Sequence, residues 1–481
     1  MIVESLTDPT VRPMFVAGQW ISSDEKLDIR NPYNHQVIGE ACMAGMQDVD
    51  EITQSSLDGF AVMKKTPSYK RYEMLRGIAE GIRDHKEELA RIMTLESGKP
   101  IRDSRGEIDR AVATFTIASE EAKRIEGESI PLDLNQVSEG RFGVIRRFPI
   151  GPILGITPFN FPLNLVAHKV APALASGNSI IIKPSGRTPL TALLLAEIAA
   201  AAGVPAGALN VVPASNEVTH KFVTDDRIKM VTFTGSTDVG WSLKAEAGKK
   251  KVALELGGNA AAIIDEGANL DYAAKRLTTG AFYYAGQSCI SVQRMYIHEQ
   301  LYAEFLNKFL SQARLLKTGD PMDETTDIGP VIDQVAADRV EEWIAEAVNS
   351  GARILLGGKR DGWVFEPTVL KNVSPDVHVS CAEAFAPLVT VTPFTDFQEA
   401  INAVNNSQYG LQAGVFSNNF KHIMKAYEEL EVGQVIINDA PTYRIDHMPY
   451  GGIKDSGFGR EGIRYAIEEM TEIKMMAVNV V

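Results

Sequence analysis

From about Arg141 the chain repeats one pattern: a short β-branched or apolar run punctuated by Gly or Pro, then a stretch of helical composition. Gly151-Pro152-Ile153-Leu154-Gly155-Ile156-Thr157 reads as one strand, and Asn178-Ser179-Ile180-Ile181-Ile182-Lys183-Pro184 as a second. An Ala/Leu-rich helix is predicted from Pro189 to Ala202, with further strands at 209–212 and 230–234. Runs that are apolar at every position are buried on both faces, and alternated with helices they form a parallel sheet. The pattern therefore predicts an α/β fold of the doubly wound kind, an architecture that binds nucleotides.

After Gly257-Gly258 the alternation restarts with Ala261-Ala262-Ile263-Ile264, a helix through Leu277 and a strand at 295–297. At 481 residues the chain is too long for one core, and a second α/β unit beginning near 257 fits that length. Ahead of the first sheet, 48 to about 126 reads as helices. Asp50 is placed to cap one, and Met74, Leu75, Ile78, Ile82 and Leu89 recur at helical spacing between Arg71 and Arg91. Two segments fit neither unit: 128–149 alternates like a hairpin, and 474–480 reads as a terminal apolar strand that aggregates unless covered.

Charge narrows the partners. With 62 acidic and 48 basic residues the net charge is -14, which disfavours nucleic acid and anionic membrane surfaces. Three cysteines (Cys42, Cys289, Cys381) cannot frame a disulfide scaffold and fit a reducing compartment, and the eight histidines show no metal-ligand spacing. Met1-Ile2-Val3-Glu4-Ser5 has no basic, apolar signal character, and apolar runs stop short of a membrane span. A cytoplasmic enzyme without metal is the expectation.

Three strings carry chemistry. Cys289 follows Gly286-Gln287-Ser288, where glycine permits close backbone approach, so its thiol is a candidate nucleophile; the plainer alternative is a small buried hydrophobe, the reading kept for Cys42 and Cys381. Glu255, about 34 residues earlier in Leu254-Glu255-Leu256-Gly257-Gly258-Asn259, is a carboxyl in apolar surroundings and a candidate general base with a raised pKa. The alternative pairs it with Lys250 or Lys251. Asn160, in Thr157-Pro158-Phe159-Asn160-Phe161-Pro162, offers a side-chain amide suited to an oxyanion, or else is a turn residue.

These strings, with Phe233-Thr234-Gly235-Ser236-Thr237 between them, resemble the aldehyde dehydrogenase superfamily, from Phe15-Val16-Ala17-Gly18 to Lys454-Asp455-Ser456-Gly457. The resemblance implies a Rossmann-type cofactor domain (1–123 and 148–256), a second α/β catalytic domain (257–468) and a β oligomerisation arm (124–147 and 469–481). It implies a homodimer or homotetramer. It assigns Cys289 as nucleophile, Glu255 as base and Asn160, with the Cys289 backbone N–H, as oxyanion donors. Lys169 and Glu461 match a pair that relays protons. Thr157, Pro158, Phe159, Lys183, Gly235, Ser236, Gly257, Glu383 and Phe385 match positions that hold NAD or NADP. Ala386 stands where a glycine is usual, and should tighten its loop. Gly186 stands where NAD-preferring relatives often carry glutamate; with Ser185 and Arg187 as phosphate donors it implies that NADP is accepted, unless Arg187 merely points to solvent.

The resemblance also places Arg110 and Arg444 in the substrate tunnel, with Phe161, Ser288 and Ile290 and with polar contacts from His168 and His447. Two buried guanidiniums call for an anion, so a short polar or anionic aldehyde is expected, of the lactaldehyde, semialdehyde or phospho/phosphono-aldehyde type. The plainer alternative pairs Arg110 with Glu107 or Asp109 and Arg444 with Asp446. Ser288 stands where some phosphate-specific relatives carry arginine, which favours a smaller or monoanionic substrate. Two other activities remain open at this point: coenzyme A acylation, which Glu255 disfavours, and a non-catalytic role on the same scaffold.

Overall fold

Two open sheets carry most of the strands, and their apolar runs lie buried, as the computed structural model of residues 11–480 makes plain. Met1–Ser5 lies outside the described residues, as does Val481. In the first sheet, Lys251–Glu255, Met230–Thr234, Ile153–Ile156, Ile180–Lys183 and Leu209–Val211 run parallel in that spatial order. Two short antiparallel pieces flank them: Gly457–Phe458 beside Lys251–Glu255, and the hairpin of Met14–Val16 and Gln19–Ile21 beside Leu209–Val211. The second sheet orders Arg353–Leu356, Thr368–Lys371, Leu388–Phe394, Arg294–His298, Ala261–Ile264, Gln412–Phe416 and Gln434–Ile437; all but the first are parallel.

The predicted helical region resolves into Val49–Met63, Ser68–Asp84, Lys86–Ser97 and Ile101–Ala122. Leu75, Ile78, Ile82 and Leu89 are buried as their spacing predicts. The spacing hides a break at His85, however, because one non-helical residue (φ −101°, ψ 21°) barely disturbs the periodicity. Asp50 caps nothing: it lies in the first turn of its helix and pairs with Arg227 at 2.8 Å.

The helix Asn164–Ser176 matters most for the site. Every residue in it is buried, between Ile101–Ala122 and the first sheet. Asn164 and His168, four apart, share one face, whereas Lys169 is turned by about 100° towards the sheet. The segment Glu128–Pro131 and the strand Arg141–Pro149 form the expected hairpin, and Thr471–Asn479 adds antiparallel along the second strand. That terminal strand leaves Ile473, Met475 and Met476 exposed. No described helix is long and apolar enough to cross a membrane.

Candidate active site

The carboxyl ends of the first sheet face the amino ends of the second. Glu255 closes Lys251–Glu255, Gly235 follows Met230–Thr234, and Thr157 follows Ile153–Ile156, all at the edge where open α/β sheets bind ligands. From the other side comes the loop before Arg294–His298, carrying Cys289. A cavity of about 500 Å³ lies between them, lined among others by Asn160, Phe161, Glu255, Cys289, Arg110 and Arg444. It also reaches Pro158, Phe159, Gly235, Ser236, Gly257, Glu383 and Phe385.

The cysteine loop is held by backbone that few residues adopt. Tyr284, Ala285 and Gly286 have φ of 47°, 52° and 69°, a left-handed run that costs about 1–3 kcal/mol per non-glycine residue. At Gly286 a Cβ would fall 2.0 Å from the Ala386 carbonyl oxygen, and at Gly258 one would fall 2.5 Å from the Cys289 carbonyl oxygen. Glycine at both places lets three loops close on one another. Ala386 itself is buried without a positive φ, so alanine fits there without strain.

Ser288 and Ile290 are buried, while Cys289 between them keeps partial exposure to the cavity. Its sulfur lies 3.1 Å from the Tyr450 hydroxyl. Burial pushes the thiol up to about 12, with the Tyr450 hydrogen bond acting the other way. Glu255 is buried too, and its Oε2 has no partner among the described residues. Desolvation, then the neighbouring Glu461 carboxylate, raise its pKa well above the usual carboxylate range. It makes no ion pair with Lys250 or Lys251; Lys251 pairs with Glu472 instead. Asn160 donates from Nδ2 to the Gln287 carbonyl at 3.0 Å, leaving its second amide hydrogen for another acceptor.

Behind Glu255, the fully buried Lys169 donates to Thr232, Thr234 and Glu461 at 3.1, 2.8 and 3.0 Å. Burial opposes the charge on Glu461, but Lys169 and the other cationic groups beside it outweigh that and hold its pKa low.

The two arginines do not make the pairings of the plainer alternative. Arg110 binds neither Glu107 nor Asp109 but Asp446, at 2.8 Å; Glu107 pairs with Lys99 and Asp109 with Lys86. Arg444 lies 3.4 Å from Glu461 and stacks on the Tyr450 ring at 3.6 Å from its centroid. Its Nε is buried with no partner among the described residues. Neither His168 nor His447 is among the residues that line the cavity. His168 is turned behind the wall, its Nε2 2.8 Å from Asp446, and His447 is exposed outside the cavity.

The cofactor end fits a dinucleotide. The helix Thr237–Glu246 opens at Ser236 with no side-chain cap, so its first amides are available to a diphosphate. A Cβ at Gly257 would lie 2.6 Å from the Glu383 carboxylate, so glycine alone lets that carboxylate settle there. Glu383 accepts from the Gly258 N–H at 3.0 Å, and burial pushes it up to about 7. Lys183 ends its strand largely buried, with its pKa lowered by desolvation. Arg187 is exposed but pairs with Asp333 at 2.9 Å, and with Gly186 borders a smaller neighbouring cavity, while Ser185 accepts from the Arg187 N–H. Thr157 is buried beside the large cavity without lining it. Of the other thiols, Cys42 is buried but Cys381 is exposed, against the expectation of a core residue.

Sequence reasoning did not place three contributors at the site: Tyr450, Asp446 and the Lys99–Glu107 pair, whose Glu107 accepts from the N–H groups of Leu163 and Asn164 at 2.9 and 3.0 Å.

Known proteins match this chain over nearly its whole length. The sequence model of the aldehyde dehydrogenase family matches residues 20–476. A 3-sulfolactaldehyde dehydrogenase of Priestia megaterium is 46% identical over 477 residues, 99% of each chain. Aldehyde dehydrogenase 21 from Physcomitrella patens, solved with the reaction product succinate, superposes with a TM-score of 0.97 at 43% identity, covering 99% of both chains. Glyceraldehyde-3-phosphate dehydrogenase GapN from Methanocaldococcus jannaschii, complexed with NADP, superposes with a TM-score of 0.91 at 40% identity, covering 95% of this chain and 100% of that one. The chain belongs to the aldehyde dehydrogenase family and is an oxidoreductase acting on aldehydes.

Proposed function

We propose that the protein oxidises a short aldehyde with an anionic or hydroxylated tail to the carboxylic acid, with NAD or NADP as cofactor. The observation that carries this reading is the buried Arg444 guanidinium, its Nε unpartnered, in the same cavity as Cys289. A buried cation of this kind is satisfied by a carboxylate, sulfonate or phosphorus oxyanion. The names of the relatives agree in kind: one acts on sulfolactaldehyde and another was solved with succinate.

In the proposed reaction Glu255 takes the Cys289 proton, and the thiolate adds to the aldehyde carbon. The oxyanion is held by the free Asn160 amide hydrogen and the Cys289 backbone N–H; one such donor contributes about 3 kcal/mol. The nicotinamide cofactor, when bound, supplies the hydride acceptor. Glu255 passes that proton towards Glu461 and its partner Lys169 and, again a carboxylate, activates the water that cleaves the thioester on Cys289. Glu383, with Phe385 beside it, would hold the nicotinamide ribose. Gly235, Ser236 and the helix they open would hold the diphosphate, and Lys183 with Ser185 and Arg187 the adenosine end. Glu255 favours water over coenzyme A as the acyl acceptor.

The same reading assigns 1–123 and 148–256 to cofactor binding, 257–468 to catalysis, and 124–147 with 469–481 to an arm that pairs subunits into a cytoplasmic dimer or tetramer. A kcat/KM panel of succinate semialdehyde, 3-sulfolactaldehyde, lactaldehyde, glyceraldehyde 3-phosphate and propanal, each with NAD and NADP, tests it. An advantage for propanal would overturn the arginine argument.

A further inference from the structure

Asp446 does not line the cavity, yet it governs much of what does. One of its oxygens, Oδ1, receives the Arg110 guanidinium at 2.8 Å, the His168 Nε2 at 2.8 Å and the Asn164 amide at 3.1 Å. Arg110 Nε approaches the other oxygen at 3.5 Å. Arg110 and Asn164 do line the cavity, so Asp446 acts on a bound tail through them. Three donors converging on one nearly buried oxygen fix its position and keep it ionised: burial raises its pKa, but His168 and Arg110 more than reverse that.

The charges around the tail end can then be counted. Arg110, Arg444 and Lys169 are cations; Asp446 and Glu461 are anions. Burial and the Arg444 charge lower the His168 pKa, and burial with Glu461 raises that of Glu255. Lys99 and Glu107, under the Phe161 ring, cancel each other. Asp446 offsets Arg110, and Glu461 is shared between Lys169 and Arg444. Cations exceed anions by one among these five groups, an excess that Glu255 removes when it ionises.

We infer that Asp446 is a specificity-determining residue: by cancelling Arg110 it leaves Arg444 alone to meet the tail, which suits a monoanion and penalises a dianion. This rests on the anionic-tail function proposed above. A carboxylate or sulfonate matches that single guanidinium. A phosphate or phosphonate dianion brings a second negative charge with no cation to meet it, which at a protein-like dielectric and about 8 Å amounts to roughly tenfold or more in affinity.

The test uses two isosteric aldehydes, 3-sulfopropanal and 3-phosphonopropanal, which share shape and differ in charge. With wild-type enzyme and saturating cofactor, kcat/KM favours the sulfonate by about tenfold or more above the phosphonate's second ionisation. The gap narrows below it, where the phosphonate becomes a monoanion. Asp446→Asn keeps the side-chain volume but frees the Arg110 charge, so the phosphonate gains about tenfold relative to the sulfonate, mainly through KM. Arg110→Met shifts the ratio the opposite way, which keeps the test decisive if Asp446→Asn folds poorly. A sulfonate-to-phosphonate ratio unmoved by pH and by both variants overturns the inference. If wild-type enzyme instead prefers propanal to 3-sulfopropanal, the underlying function fails.

Discussion

The Cys289 sulfur and the Tyr450 hydroxyl stand 3.1 Å apart, 161 positions apart in sequence, and the face of that tyrosine carries the Arg444 guanidinium at 3.6 Å. The hydroxyl favours the thiolate against burial, which by itself holds the thiol protonated. Removing it in Tyr450→Phe raises the thiol pKa further. Hydrogen bonds to charged groups contribute about 1.5–3 kcal/mol, so alkylation by iodoacetamide at fixed alkaline pH slows by about tenfold or more. Its pH–rate profile moves to higher pH. An unshifted profile would mean that the contact has no influence on the thiolate.

Glu255 must lose its proton to act as a base, and its pKa is raised. The rising limb of kcat/KM against pH therefore lies above the usual carboxylate range, with activity increasing as Glu255 ionises. Glu255→Gln removes the base and lowers kcat by about 10²–10⁴-fold, thioester hydrolysis included. Stopped-flow measurement of NAD(P)H formation checks it, the rising limb disappearing together with the rate.

Arg444→Leu deletes the guanidinium with the unpartnered Nε and leaves Glu461 with Lys169 alone. A charge-assisted hydrogen bond to substrate contributes about 1.5–3 kcal/mol, so kcat/KM for succinate semialdehyde falls by about 10–100-fold, and by more than it does for propanal. Equal losses on both aldehydes would refute the proposed tail contact.

Glu383 titrates at about 7 because burial raises it. Ribose hydroxyls donate to its ionised form, so cofactor Kd falls as pH rises through neutrality. In Glu383→Gln that dependence flattens. Fluorescence titration of the dinucleotide from pH 6 to pH 8.5 or so reads it directly.

Gly286→Ala sets a Cβ 2.0 Å from the Ala386 carbonyl in backbone already at φ 69°. The variant loses about 1–3 kcal/mol of stability, seen as a lower melting temperature, and displaces Cys289 enough to reduce kcat.

Much of this was legible in the sequence because its evidence is local. Ile180-Ile181-Ile182 can only be a strand buried on both faces, and it is. Glu255, Cys289 and Asn160 sit in short strings whose neighbours already state the environment, and all three meet at one cavity. The illegible part is long-range. Asp446 meets His168 across 278 positions and Arg110 across 336, separations that leave no periodic trace. His168 lies behind the cavity wall for a geometric reason: it is one step from Lys169 along a helix, and that step is a large rotation. Likewise the break at His85 preserves the spacing on either side, and only backbone angles expose it.

Glu255 ends a strand of one sheet, Cys289 precedes a strand of the other, and little more than Gly257-Gly258 carries the chain across. Neither half holds a complete reactive centre, so recovery of turnover during refolding marks the docking of two preformed bodies. Circular dichroism should return to its native signal first, and catalysis should follow as a separate, later event.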